Sequence, residues 1–375
     1  MKITYISNST IPSRTANSIH VMKMCQAFAQ NGHEVTLIAP DKQMNRELGV
    51  EDVFSFYNVE ECFKINRIPR LPINVKGLLY GVCAGKKAKS LRPDLVYGRD
   101  IFGCFFAVLL RLPVMLERHG PIEDKFSERV FLKLISSQTF EKLVVITHAL
   151  RKNYIEQYPS LSEKIIVAPD GADPVPDCIE PVILPDGNKR LQVGYVGHLY
   201  PGRGIEIIEQ LAERCSWADF HVVGGTVQDI NACKQRTTSL NNLHLHGFKQ
   251  PSEAERYRLG CDVLLAPYQR KVSVSGGGGN TVKWMSPLKV FEYMAAGKAI
   301  MCSDIPVLRE VLKDRHNALL CSPEDIESWE KALILLCKNE KMRSQLAETA
   351  KRDFIYKYTW RSRAQNILLT LNEEE

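Results

Sequence analysis

SPLKVFEYMAAGKAIMC, residues 286–302, reads as a short helix that feeds a buried strand. Ser286 is a good N-cap and Pro287 suits the first helical position, so the backbone N–H groups of Leu288, Lys289 and Val290 should point out of the helix start. A helix start of this kind attracts anions. Lys289 sits in the first turn, where the helix dipole disfavours a cation; it is either solvated or set against something anionic. Glu292 follows one turn later on the same face, and a solvated ion pair between the two, contributing roughly 0.2–0.5 kcal/mol, is the plainer alternative. Leu288, Phe291, Met294 and Ala295 form the apolar side, Gly297 ends the helix, and Ala299 to Cys302 make the strand.

Working outward, the segment from Val263 to Phe291 contains no carboxylate, whereas Arg270, Lys271, Lys283 and Lys289 surround a Gly276 to Gly279 run. This composition suits an anionic ligand under a closing loop, or an ordinary surface loop. The chain has 375 residues, more than one core usually serves, so two domains are expected. With 45% apolar and 25% charged residues it is ordinary globular protein, and its net charge of +6 calls for no nucleic-acid partner. Eleven cysteines without a CxxC pair or a His/Cys cluster argue against a zinc site or a disulfide framework. The opening MKITYIS is strand-like rather than a basic segment with a long apolar core, so no secretory signal and a cytoplasmic location are expected. The run Ile101 to Leu110 is too short to span a bilayer.

Taken in order, Ile3–Ser7, a polar loop, a helix from about Ser18 to Gln30 and Glu34–Ala39 form a β-loop-α-β unit whose ligand end is the first loop. Ser18 is expected to cap that helix. Residues 67–92 combine apolar side chains with seven lysines and arginines, the pattern of a solvated helix face or of a helix lying on anionic lipid. His119 stands just past a strand ending in Glu117 and Arg118, where open α/β sheets place ligands, with Arg99 and Asp100 past the strand before it. The Pro- and Asp-rich stretch 174–190 reads as a linker. Beyond it, GHLYPGRG, residues 197–204, has the shape of a phosphate cradle with Arg203 aimed at it, but lacks the Lys and Ser/Thr of a P-loop. Ser252 with Glu255 suggests a capping box, and a helix is expected around Pro306 to Lys313.

SPLKVFEYMAAGKAI followed by SDIPVLREVL resembles the donor-binding helix of the retaining, nucleotide-sugar-dependent glycosyltransferases of family 4, also called glycosyl transferases group 1. The resemblance implies an α/β GT-B fold, two Rossmann-like domains facing across a cleft. Residues 1–180 would bind the acceptor, 181–357 the nucleotide-sugar donor, and the terminal helix in 358–375 would cross back to the first domain. It further implies that Glu292 holds the donor ribose and that Leu288, Lys289, Val290 and the Gly197 loop with His198 and Arg203 hold the diphosphate. Phe248 would flank the base, or serve as a core aromatic. His119, in ERHGP, would contact the donor sugar and is the candidate catalytic residue; Arg14 and Asn17 are candidates for acceptor or phosphate contacts. The nucleotide sugar is a substrate, and no cofactor or metal is expected. One position departs from the pattern: Trp284 stands where many members carry a second glutamate. The expected activity is transfer of a sugar, UDP-glucose being the first expectation for the donor, with retention to a glycan or lipid-linked acceptor. The setting would be exopolysaccharide or cell-envelope glycan synthesis, in the cytoplasm and in peripheral contact with the anionic inner face of the membrane. The alternatives are a nucleotide-sugar epimerase of the same fold, a non-catalytic sugar-nucleotide-binding subunit and a nucleotide hydrolase.

Overall fold

The computed structural model describes residues 1–41, 46–69, 77–185, 190–273 and 279–371. The chain divides into two compact units, Met1–Asp170 with Trp360–Glu375, and Gly171–Thr359. The change of unit thus falls at Asp170, ahead of the linker-like stretch in which 180/181 was expected.

The first unit alternates strand and helix: β1 Lys2–Ile6, α1 Ala16–Gln30, β2 Glu34–Asp41, α2 Val53–Tyr57, β3 Lys64–Pro69, α3 Leu78–Leu91 and β4 Leu95–Gly98. There follow α4 Ile101–Leu109, β5 Val114–Arg118, α5 Lys125–Ile135, β6 Phe140–Val145, α6 His148–Gln157 and β7 Ile165–Val167. All strand pairs are parallel, in the order β3-β2-β1-β4-β5-β6-β7. Helices cover both faces of such a sheet, which is why its strands read as apolar runs. The strand order reverses beside β1, where Ile6 pairs with Gly98 of β4, so the crevice for a ligand lies past the ends of β1 and β4. α1 starts earlier than expected: Thr15 is the cap, accepting from Ser18 N–H at 3.3 Å, and Ser18 itself is buried inside the helix with its hydroxyl donating to Ser13 O. In the basic stretch, a Cβ on Gly81 or Gly85 of α3 would collide with Phe102 or Phe106 of α4, so one side of α3 packs closely on α4. Residues 70–76 of that stretch lie outside the described residues.

The second unit is β8 Leu191–Val196, α7 Ile205–Arg214, β9 Ala218–Val223, α8 Val227–Arg236, β10 Leu243–Gly247, α9 Pro251–Gly260 and β11 Val263–Ala266. It continues through α10 Leu288–Ala296, β12 Ala299–Ser303, β13 Leu319–Cys321, α11 Ile326–Lys338 and α12 Glu340–Lys357. Its parallel sheet runs β10-β9-β8-β11-β12-β13, again reversing at one point, between β8 and β11. Trp329, Phe220, Ile208 and Leu211 anchor a core between this sheet and α7 and α11. The closing helix, α13 Trp360–Leu369, belongs to the first unit, buried on Trp360, Arg363, Ala364 and Ile367.

Three local expectations are corrected. α10 begins at Leu288, with Pro287 in extended conformation as the N-cap, because the Pro287 carbonyl already accepts from Val290 N–H at 3.0 Å. Ser252 makes no capping box: Pro251 starts α9 and Gln250 is its cap, whereas a capping box does form at Thr226 and Asp229. The 306–313 segment holds only a single 3-10 turn, Leu308–Glu310. Residues 274–278, most of the glycine run, lie outside the described residues. Among those described, no helix is long and apolar enough to cross a membrane.

Candidate functional site

In the first unit the polar groups gather past β1, β4 and β5, around a cavity of about 410 Å³ lined by Asn8, Asn17, Arg99, Asp100, Glu117, Arg118 and His119 among others. β5 carries Glu117 into the interior, 1% exposed. Its Oε1 is 2.7 Å from His119 Nε2, 2.7 Å from Arg363 Nη2 and 3.0 Å from His20 Nε2, while its Oε2 accepts from the Tyr97 hydroxyl at 2.6 Å. His20 Nδ1 lies 2.9 Å from Asp170 Oδ1; both His20 contacts are ion-pair close, although neither is aligned as a hydrogen bond. Burial alone would raise the Glu117 carboxyl, but Arg363, His20 and His119 outweigh it and hold it well below the usual range. His119 is pushed down to about 4, by burial first and by Arg99 next, so it is neutral at pH 7. Glu117 can only accept, so it fixes the proton of neutral His119 on Nε2 and leaves Nδ1 as an acceptor. His20, Glu117, His119 and Asp170 have the donor atoms of a metal site, within 4.8 Å of one another. The Arg363 guanidinium sits on the same Glu117 oxygen, however, and already supplies the positive charge a metal would bring.

Of the other expected residues here, Asn17 lines the cavity and Arg14 does not; Arg14 is tied to Glu47. Asp100 caps α4, accepting from Gly103 N–H at 2.6 Å.

In the second unit the loop Gly197–Gly204 leaves β8 and runs into α7. Its glycines are required by close approach: a Cβ on Gly202 would overlap the Lys271 carbonyl, and one on Gly204 the Pro267 carbonyl. Lys289 is buried, not paired with Glu292 as a solvated couple. Its Nζ lies 3.7 Å from the centroid of the Tyr195 ring and 5.1 Å from that of Tyr268, and has no hydrogen-bond partner among the described residues. Arg203 also approaches Tyr268, 5.4 Å from the ring centroid, with its Nε buried and likewise without a hydrogen-bond partner among the described residues. Burial, then the neighbouring Arg203, lowers the Lys289 ammonium well below its ordinary value. Two cations held together, with aromatic faces but, among the described residues, no carboxylate in bonding distance, are arranged for an anion. Leu288 and Val290 flank Lys289 at the start of α10. Glu292 is partly exposed, and one of its oxygens is 3.3 Å from the buried Arg258 Nη1. His198 is exposed and stacks on Tyr200 at 4.8 Å between ring centroids, and Phe248 is 40% exposed rather than a core aromatic.

Sequence reasoning passed over His20, Asp170, Arg363, Arg258 and the two tyrosines around Lys289. Arg363 had a visible signal, since it shares the apolar face of Trp360, Ala364 and Ile367.

Comparison with known proteins agrees with this architecture. Residues 18–175 match Glycosyltransferase Family 4 and residues 181–353 match Glycosyl transferases group 1. The N,N'-diacetylbacillosaminyl-diphospho-undecaprenol alpha-1,3-N-acetylgalactosaminyltransferase of Campylobacter jejuni is 26% identical over 136 residues, 36% of this chain and 32% of that protein. The chain thus aligns with about a third of that relative's length. A glycosyltransferase of Haemophilus influenzae, itself uncharacterized, is 20% identical over 350 residues, covering 88% of this chain and 89% of its own. In fold, HepE of Anabaena, solved in complex with UDP, superimposes with a TM-score of 0.74 at 14% identity, over 99% of this chain and 100% of that one. With two doubly wound parallel sheets and both family matches, one in each half, the chain belongs to the family 4 glycosyltransferases of the GT-B fold.

Proposed function

We propose that the protein transfers a sugar from a nucleotide-diphosphate donor, UDP-glucose or a close analogue, to a glycan or lipid-linked acceptor. Transfer proceeds with retention and without a metal ion, in the cytoplasm, in the synthesis of an exopolysaccharide or cell-envelope glycan. The observation that carries the reading is the buried Lys289 ammonium beside Arg203, both with nitrogens lacking hydrogen-bond partners among the described residues. In a site this dry, two preorganised cations and the start of α10 stabilise the diphosphate as it leaves, the task magnesium performs in other transferases. Glu292, partly exposed, accepts from the ribose hydroxyls. His119, neutral and oriented by Glu117, accepts from a sugar hydroxyl through Nδ1. The complexes of Anabaena HepE with UDP and with UDP-glucose, and the lipid diphosphate in the name of the Campylobacter relative, favour this donor and acceptor class.

Radiolabelled UDP- and GDP-sugars incubated with the protein and a cell lipid extract test it. Label transferred to the extract is the expected result; nucleotide release alone, interconversion of free nucleotide sugars, or binding without turnover would each overturn the transferase reading. Glu292→Gln is the informative site variant, because Glu292→Ala also leaves Arg258 buried without its partner. Glu292→Gln should lower donor affinity by about 1 kcal/mol or more with the melting temperature little changed.

A further inference from the structure

The first unit's cavity is crowded with carboxylates, yet nearly all are engaged from the protein side. Asp100 caps α4, and Asp124 caps α5 through Phe126 and Ser127 N–H at 3.2 and 3.0 Å. Glu117 is surrounded by Arg363, His119, His20 and Tyr97. Glu123 is exposed, where water screens it. The arginines of the same lining are not engaged in that way. Arg99 has a buried Nη1 with no hydrogen-bond partner among the described residues. Among the described residues Arg118 reaches only neutral oxygens, Tyr154 Oη at 3.3 Å and Pro121 O at 3.4 Å, both long for a guanidinium. The positive end of α4 contributes Ile101 and Phe102 to the same wall. A cavity of about 410 Å³ is sized for a small polar ligand, and its two guanidiniums, with no carboxylate partner among the described residues, are the lining groups left to receive an anion.

We propose that the acceptor is recognised as an anion, a phosphate or carboxylate group of it seated against Arg99 and Arg118 in this cavity. The inference rests on the proposed assignment of the first unit to the acceptor. The chemistry is shared by a diphosphate-linked acceptor and by one ending in a uronic acid.

Calorimetry on the full chain separates the cases without requiring turnover. In a Lys289→Met background, which disables the anion site of the second unit, inorganic pyrophosphate and glucuronate are titrated in turn. At least one should bind, and adding Arg99→Ala should weaken it by about tenfold or more, with part of the affinity restored by Arg99→Lys. Because Arg99 Nη1 has no hydrogen-bond partner among the described residues, the alanine variant should melt as the parent does, which sets a binding role apart from a structural one. Binding of pyrophosphate alone assigns a diphosphate-linked acceptor, of glucuronate alone a uronate, and of both an unselective anion seat. If neither anion binds, or if Arg99→Ala leaves the affinity unchanged, the inference is overturned even where sugar transfer is observed. Binding lost on Arg99→Ala in a protein that transfers no sugar would leave the anion seat standing and remove the transferase reading instead.

Discussion

Lys289 is placed at a cost to the folded protein. A buried ammonium without a hydrogen bond forfeits hydration that two tyrosine faces restore only in part. Its folded-state pKa is lowered, so between that depressed value and the ordinary ~10.4 the unfolded chain carries a proton that the folded chain does not, and stability rises with pH across that window. Lys289→Met keeps the length of the side chain and removes the charge. It should raise stability by on the order of 1 kcal/mol and abolish that alkaline rise, while costing about 1.5–3 kcal/mol of nucleotide-diphosphate affinity. Urea denaturation between pH 7 and about pH 10, paired with UDP titration, reads both. A variant that loses stability and keeps its affinity would show that Lys289 holds the fold and not the donor.

α13 carries Arg363 into the first unit, where it donates to Glu117 Oε1 at 2.7 Å and to the backbone oxygens of Ala168 and Pro169 at 3.0 and 2.8 Å. Arg363→Met would leave the Glu117 carboxylate buried beside two histidines and should destabilise by about 3–5 kcal/mol. Glu117→Gln in the same chain should recover part of that loss, a coupling that urea denaturation of the two single variants and the double variant measures. Because the folded pKa of Glu117 is depressed, its contribution is complete above the ordinary ~4.3 and is lost as the pH falls through the folded value; in Arg363→Met that loss begins at higher pH. This network also marks how far the sequence could be read. Apolar strands, Gly197, the Gly202–Gly204 turn and the α10 stretch are local patterns, and they led to the strand and helix alternation and to Lys289 and Arg203. Glu117 and Arg363 are 246 residues apart, and no window of sequence holds both. The burial of Lys289 was hidden for the same reason: Tyr195 and Tyr268, which enclose it, come from β8 and from the loop after β11.

Both units keep histidines neutral, and this joins two separately built halves in one acid response. His119 in the first unit is pushed down to about 4 by burial and then by Arg99. In the second, His221 is pushed to about 3 and His246 to about 4, by burial first and then by their histidine neighbours. The second pair has a geometric cause. Gln192 Oε1, 2.6 Å from His221 Nε2, accepts its proton, so His221 Nδ1 must take a hydrogen from His246 Nε2, 3.1 Å away. His244 stacks on His221 at 4.8 Å between ring centroids, so a proton added to His221 or His246 lies in a buried cluster of imidazoles with little to stabilise it. As the pH falls below about 6.5, the unfolded chain takes up these protons while the folded chain does not, and the stability of both units declines until the folded values near 3–4 are reached. Each histidine adds at most about 1.4 kcal/mol per pH unit to the slope in that window. His246→Gln preserves a donor toward His221 and removes one titrating ring, so it should flatten the slope by up to that amount. Hydrogen exchange between about pH 4.5 and 7 follows the two units separately. Protection should fall toward acid in both, with the His246→Gln change confined to the second; a flat profile over that range would mean that the buried imidazoles are protonated as readily folded as unfolded.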